Sequence, residues 1–207
     1  FFFFKQKTAY EIPKRDWEFR RVLFRSISIY LLSLSMVSVH AAPLYAFPVS
    51  DCAVKYVRAH HDYPATDIQA KKGCAVVATT NGIIDFVATK DIWNGKTNLG
   101  QDRGGLAIAI IGDDGVRYYG SHLSKIEQGI AVGVRVVTGQ KIGEVGNSGD
   151  AKGIAPHLHF GISWPTTPDD WKVRRGKVSP FNYLNAWKAG TDKSPYAEVE
   201  KAKKSGK

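Results

Sequence analysis

Beyond residue 42 the chain alternates between apolar and polar positions with a period of two, broken at short intervals by Gly, Asn and Asp. "LAIAIIGDDGVRYYGSHL" (106–123) predicts two strands joined across Gly112-Asp113-Asp114-Gly115. "GIAVGVRVVTGQKIGEVG" (129–146) predicts two shorter strands broken at Gly139-Gln140. "CAVVATT" (74–80) and "GIIDFVATK" (82–90) flank Asn81-Gly82, which predicts a tight hairpin. In "HLHFGIS" (157–163) a strand places His157, His159, Gly161 and Ser163 on one face and Leu158, Phe160 and Ile162 on the other. Turn signals every 8–12 residues or so predict an all-β fold of antiparallel sheets, a sandwich or half-open barrel.

The period lengthens to that of a helix only at "PFNYLNAWKA" (180–189). Pro180 can open that helix and Gly190 close it, and Phe181, Leu184 and Trp187 share a stripe. The polar, basic tail 191–207 is expected to be flexible. Segments 91–105 and 164–177 fit neither period. Long loops in a small β domain often carry function, so Trp93, Trp164, Trp171, Arg174 and Arg175 are expected to wall a groove.

Two leading segments fall outside this pattern. Residues 1–26 have no period and resemble translated sequencing-adapter read-through, so they are set apart from the fold. Residues 27–41 form an uncharged apolar run ending in Val39-His40-Ala41, expected to be the remnant of a secretory signal. Its thirteen apolar-region residues fall short of the roughly 20 that a membrane-spanning helix needs, so no stable membrane insertion is expected once the signal is cleaved. One domain over 42–190 is the expected organisation.

The formal net charge is +10, and residues 1–26 hold seven Lys/Arg against three Asp/Glu of it. The remainder is moderately basic, which suits anionic cell-wall polymers and does not form a nucleic-acid-binding stripe. Two cysteines, Cys52 and Cys74, form no CxxC; in an exported chain an even count predicts one disulfide between them.

Leaving out His40, the histidines fall in three groups: His60-His61 with Asp67 nearby, His122, and His157 with His159. Zinc takes imidazole and carboxylate ligands, and a catalytic site keeps three from the protein and one position for water. The residue types therefore suffice for a zinc site, with two histidines left for proton transfer.

"HHDYPATDI", "GCAVVATTNGII", "VRYYGSHLS", "GQKIGEVGNSG" and "PHLHFGI" occur in that order between about Phe47 and Gly190, and together resemble the lysostaphin-type, LytM-like zinc metallopeptidases. "HDYPA", "RYYGSHL" and "VRRGKVSPFNYLNAWKAG" are most similar to exported actinobacterial members. The resemblance implies a duplicated hybrid motif type of β fold that cleaves peptide bonds in peptidoglycan stems or cross-bridges through metal-activated water. It implies His61, Asp67 and His159 as ligands of Zn2+, His157 as the catalytic acid/base and His122 as its assistant. The family leaves three residues between the first His and the Asp, a position held here by Tyr63, whereas His61 and Asp67 have five between them. His60 or Asp62 can therefore stand as first ligand instead. The implied setting is the cell wall or periplasm, for a monomer that binds no nucleic acid. Two other readings exist. One is a non-catalytic relative that binds cell wall or activates an amidase. The other is a biotinyl- or lipoyl-type carrier, which needs a lysine at a hairpin tip that Asn81-Gly82 and Asp113-Asp114 do not offer.

Overall fold

The computed structural model describes residues 44–58, 60–167 and 169–206; the segments 1–26 and 27–41, His40 among them, lie outside these. The described strands are β1 (Val49–Ser50), β2 (Thr66–Gln69), β3 (Ala75–Val77), β4 (Gly82–Ala88), β5 (Leu106–Gly112), β6 (Arg117–Ile126), β7 (Arg135–Val136), β8 (Lys141–Val145) and β9 (His157–Ser163). All pairings among them are antiparallel. They form one large open sheet in the order β1-β3-β8-β6-β5-β4-β7, and β9 branches from β6 to pair with β2.

The predicted hairpin 106–123 is present as β5 and β6, turned at Gly115 with φ 77°. Period-two alternation sorts β5 between two environments. Ile108 and Ile110 enter the main core, while Ala107 and Ala109 face a smaller cluster with Tyr119. Likewise Leu158, Phe160 and Ile162 of β9 lie in the main core, and all seven residues of that strand are buried.

The hairpin predicted at Asn81-Gly82 does not form. β3 pairs with β1 and β8, and β4 with β5 and β7, so the chain crosses there between distant strands. A two-residue type I′ turn needs positive φ at both central residues, and neither Asn81 nor Gly82 has it. Asn81 instead accepts hydrogen bonds from the Thr138 main-chain N and Oγ1, at 2.8 and 3.2 Å. Gly82 passes so near β5 that a Cβ would lie 2.3 Å from the Ile111 carbonyl oxygen.

Three short helices follow β9: α1 (Trp171–Arg174), α2 (Phe181–Lys188) and α3 (Tyr196–Lys204). α2 is the predicted amphipathic helix, with Leu184 and Trp187 buried. α3 departs from the expectation of a flexible tail. Val199 is 1% exposed in the main core, Tyr183 Oη donates to Glu198 at 2.6 Å, and Trp187 Nε1 donates to the Lys193 carbonyl at 3.0 Å. One well-placed valine and two polar anchors hold it, a signal too sparse for periodicity to show. Among the described residues no helix is long and apolar enough to cross a membrane.

Cys52 and Cys74 are bridged, with Cα atoms 6.0 Å apart. The bridge joins the residues just beyond β1 and just before β3, strands already paired with each other. It therefore tethers the segment 53–65, which has little regular structure, to the sheet at its upstream end.

Candidate metal centre

β2 and β9 lie side by side with Asp67 opposite His159 and Gln69 opposite His157. β6 flanks β9 on the other edge and sets Ser121 opposite His159. These registers bring Asp67, His122, His157 and His159 together from segments distant in sequence. The imidazoles of His122 and His157 have centroids 4.9 Å apart, and those of His122 and His159 are 6.0 Å apart. The cluster lies in a cavity of about 310 Å³, bounded by residues 60–63, 100–104 and 150–154 and by α1.

His60 completes the cluster. Its Nε2 lies 3.7 Å from Asp67 Oδ1, its ring packs 4.9 Å from that of His159, and its side chain is only 7% exposed. His60, Asp67 and His159 each offer a ligand atom within 4.8 Å of the other two. His61 and Asp62 are exposed on the cavity wall, outside this group. The loop turns sharply enough at Tyr63-Pro64 to fold the Tyr63 ring back onto His60, at 4.5 Å.

Donor and acceptor roles follow from the partners. The Arg175 carbonyl can only accept, so His159 Nε2, 3.0 Å away, donates to it. In the neutral ring Nδ1 then turns a lone pair toward Asp67 Oδ1, at 3.0 Å. Two acceptors at that separation call for a shared proton, which makes the contact a hydrogen bond, or for a metal cation in its place. His60 Nε2 is too far from the same oxygen for a hydrogen bond, and His60 Nδ1 is buried without a partner. Two imidazoles and a carboxylate, with one ring fixed through its other nitrogen by a carbonyl, suit zinc and its supporting shell.

His122 and His157 have a different arrangement. His122 Nδ1 donates to the Ser148 carbonyl and His157 Nδ1 to the Ala155 carbonyl, each at 2.9 Å. Each neutral ring is thereby left with its Nε2 lone pair free for a proton. His122 has φ 64°, in the left-handed region. The β6 register with β8 shifts just after it, between Leu123 and Lys125, and Gly146 leaves room for this kink because a Cβ there would meet Ser124 N at 2.3 Å.

Burial, and then the neighbouring His159 and His157, push the His122 imidazole down to about 3. Burial and His159 also lower His60. Burial alone would raise the Asp67 carboxyl, but its hydrogen bond to His159 and the surrounding imidazoles bring it to about 2. Burial raises Tyr63 to about 12 and also raises Asp150, whose Oδ1 is 3.9 Å from His122 Nε2.

Of the residues expected to wall the groove, Trp171, Arg174 and Arg175 line it. Trp93 and Trp164 do not: Trp164 packs against the main core, and Trp93 covers Gly95. Tyr63, Tyr119, Arg103 and Asp150 also line the groove and were not legible as site residues. Asp150 follows "GNSG" directly, and its position beside His122 depends on the short turn Gly149–Ala151.

The sequence profile of Peptidase family M23 matches residues 61–171. The L-Ala–D-Glu endopeptidase of Bacillus subtilis (strain 168) is 31% identical over 130 residues, which are 60% of this chain and 35% of that protein. The chain thus spans about a third of the length of this relative. Lysostaphin, an antimicrobial peptidase from Staphylococcus simulans, superposes with a TM-score of 0.53 at 25% identity, over 75% of this chain and 59% of its own. A structure described as a candidate glycyl-glycine endopeptidase, lytM, from Ruminococcus gnavus ATCC 29149 gives a TM-score of 0.56 at 21% identity, covering 74% of this chain and 64% of its own; at that identity the likeness is one of fold.

Proposed function

This chain belongs to Peptidase family M23, and on that premise we propose that it is a zinc-dependent endopeptidase that hydrolyses peptide bonds of peptidoglycan outside the cytoplasm. The observation that carries the reading is the grouping of His60, Asp67 and His159 beside His122 and His157 in one cleft. The relative's named activity on an L-Ala–D-Glu bond supports a cell-wall peptide as substrate.

His60, Asp67 and His159 would hold the ion, with His60 as first ligand where the sequence pointed to His61. Bound there, zinc supplies Lewis acidity for the scissile carbonyl and lowers the pKa of a water toward about 7. The protein's own groups handle the protons. His157, whose Nδ1–H is committed to Ala155, accepts a proton at Nε2 and returns it to the departing amine. His122, kept neutral by burial, offers a second acceptor that orients the reacting groups. Arg175, through its main-chain carbonyl, fixes which nitrogen of His159 faces Asp67.

The test is zinc analysis of the purified chain together with mass spectrometry of muropeptides after digestion of isolated peptidoglycan. About one equivalent of zinc is expected, with cleavage that a chelator abolishes and zinc restores. Full hydrolysis by metal-free protein would overturn the proposal. Wall binding with neither zinc nor cleavage would favour the non-catalytic relative.

A further inference from the structure

Three cations border the groove, and two are already engaged. Arg103 Nε donates to Asn98 Oδ1 at 3.1 Å and lies 3.9 Å from Asp150 Oδ2. Arg174 is 5% exposed, with its guanidinium 3.7 Å above the Phe86 ring, beneath the groove. Arg175 differs. Its guanidinium carbon stands 3.8 Å over the Tyr63 ring and 5.0 Å over that of Trp171. Among the described residues its side chain makes no hydrogen bond and no ion pair, and its Nε is buried without a partner.

Ring faces satisfy the charge of a guanidinium but not its in-plane N–H donors. The Nη donors are not sealed off as Nε is, so the planar fork held against the aromatics presents them to a bidentate acceptor. The matching chemistry is a carboxylate, which accepts two parallel N–H bonds where a carboxamide offers only one acceptor oxygen. Acidic neighbours on the wall, Asp62 and Asp150, do not neutralise Arg175, so the cation stays available to a ligand.

Resting on the peptidase reading, we infer that Arg175 is a specificity-determining residue that selects peptides with a free carboxylate close to the bond being cut. Tyr63 sets the distance. Its ring lies under the guanidinium while its hydroxyl is 3.5 Å from His159 Nε2. These contacts hold the guanidinium within about 10 Å of His159 Nε2, a reach of about three residues of extended peptide. The carboxylate therefore belongs within three residues of the scissile bond.

The experiment uses the full chain loaded with zinc and two synthetic tetrapeptides with amidated C-termini, L-Ala–D-Glu–L-Lys–D-Ala amide and its D-Gln counterpart, so that D-Glu carries the only free carboxylate that differs. Binding is measured by calorimetry and turnover by mass spectrometry. The carboxylate peptide should bind about tenfold or more tightly than the carboxamide. Arg175→Gln should collapse that ratio toward one, and Arg175→Lys should restore only part of it, since lysine returns the charge without the fork. Damage to the fold would weaken both peptides and leave the ratio standing. Equal binding of the two peptides by the unsubstituted protein, or a ratio that survives Arg175→Gln, would overturn the inference. Carboxylate preference in binding without turnover of either peptide or of peptidoglycan would sink the peptidase reading alone.

Discussion

His60 and His61 are chemically the same, and outside a helix adjacent side chains diverge, so the path of the loop decides which imidazole meets Asp67. The structure turns His60 inward against Tyr63 and His159 and leaves His61 on the wall. His60→Ala should therefore lose most of the bound zinc, and His61→Ala should keep close to one equivalent, both read by elemental analysis of dialysed protein. The reverse result would return the first ligand to His61. His157 and His159 were legible from sequence because a strand's period of two fixes their face whatever the surroundings. The first ligand was not, because residues 60–65 precede β2 in an irregular loop whose course depends on Pro64, the Tyr63 stack and the tethered segment before it.

β9 shows how much an element can encode. Its apolar residues enter the core, its histidines face the groove, and Gly161 continues the histidine face. A Cβ at Gly161 would sit 2.3 Å from the Arg175 carbonyl oxygen, the group that receives the His159 Nε2 hydrogen bond. Gly161→Ala should push that carbonyl away and weaken zinc affinity by about 10- to 100-fold, the usual cost of losing an outer partner. Competition with a chromophoric chelator measures it, and unchanged affinity in a folded variant would deny the carbonyl its orienting role. Other elements were less legible. Asn81-Gly82 carries the dipeptide of a hairpin, yet the Asn81 side chain is used by Thr138, in a contact 57 residues away. α3 shows too little apolar stripe to be read locally, because tertiary contacts to Tyr183 and Trp187 hold it.

For the whole molecule, burying the His122 imidazole in the cleft makes stability depend on pH. An unfolded chain protonates His122 near the ordinary 6.5, whereas the folded protein does so only near 3. Between those values the unfolded state binds the extra proton, so folding weakens as pH falls below about 6.5. Asp67 adds a later loss, its stabilisation disappearing as pH drops from the ordinary carboxylate range through about 2. Urea unfolding of metal-stripped protein at pH 7, 6 and 5 should show a decline approaching about 1.4 kcal/mol per pH unit from His122. His122→Asn should flatten that slope, and an unchanged slope in the variant would assign it to other groups. The same residue carries another consequence through its φ of 64°. A side chain in the left-handed region costs about 1–2 kcal/mol, whereas glycine is at ease there. His122→Gly should consequently melt higher than His122→Ala, reversing the usual order of the two substitutions. At this one backbone position durability and the imidazole pull apart: were the ring given no task, glycine would be the more resilient occupant.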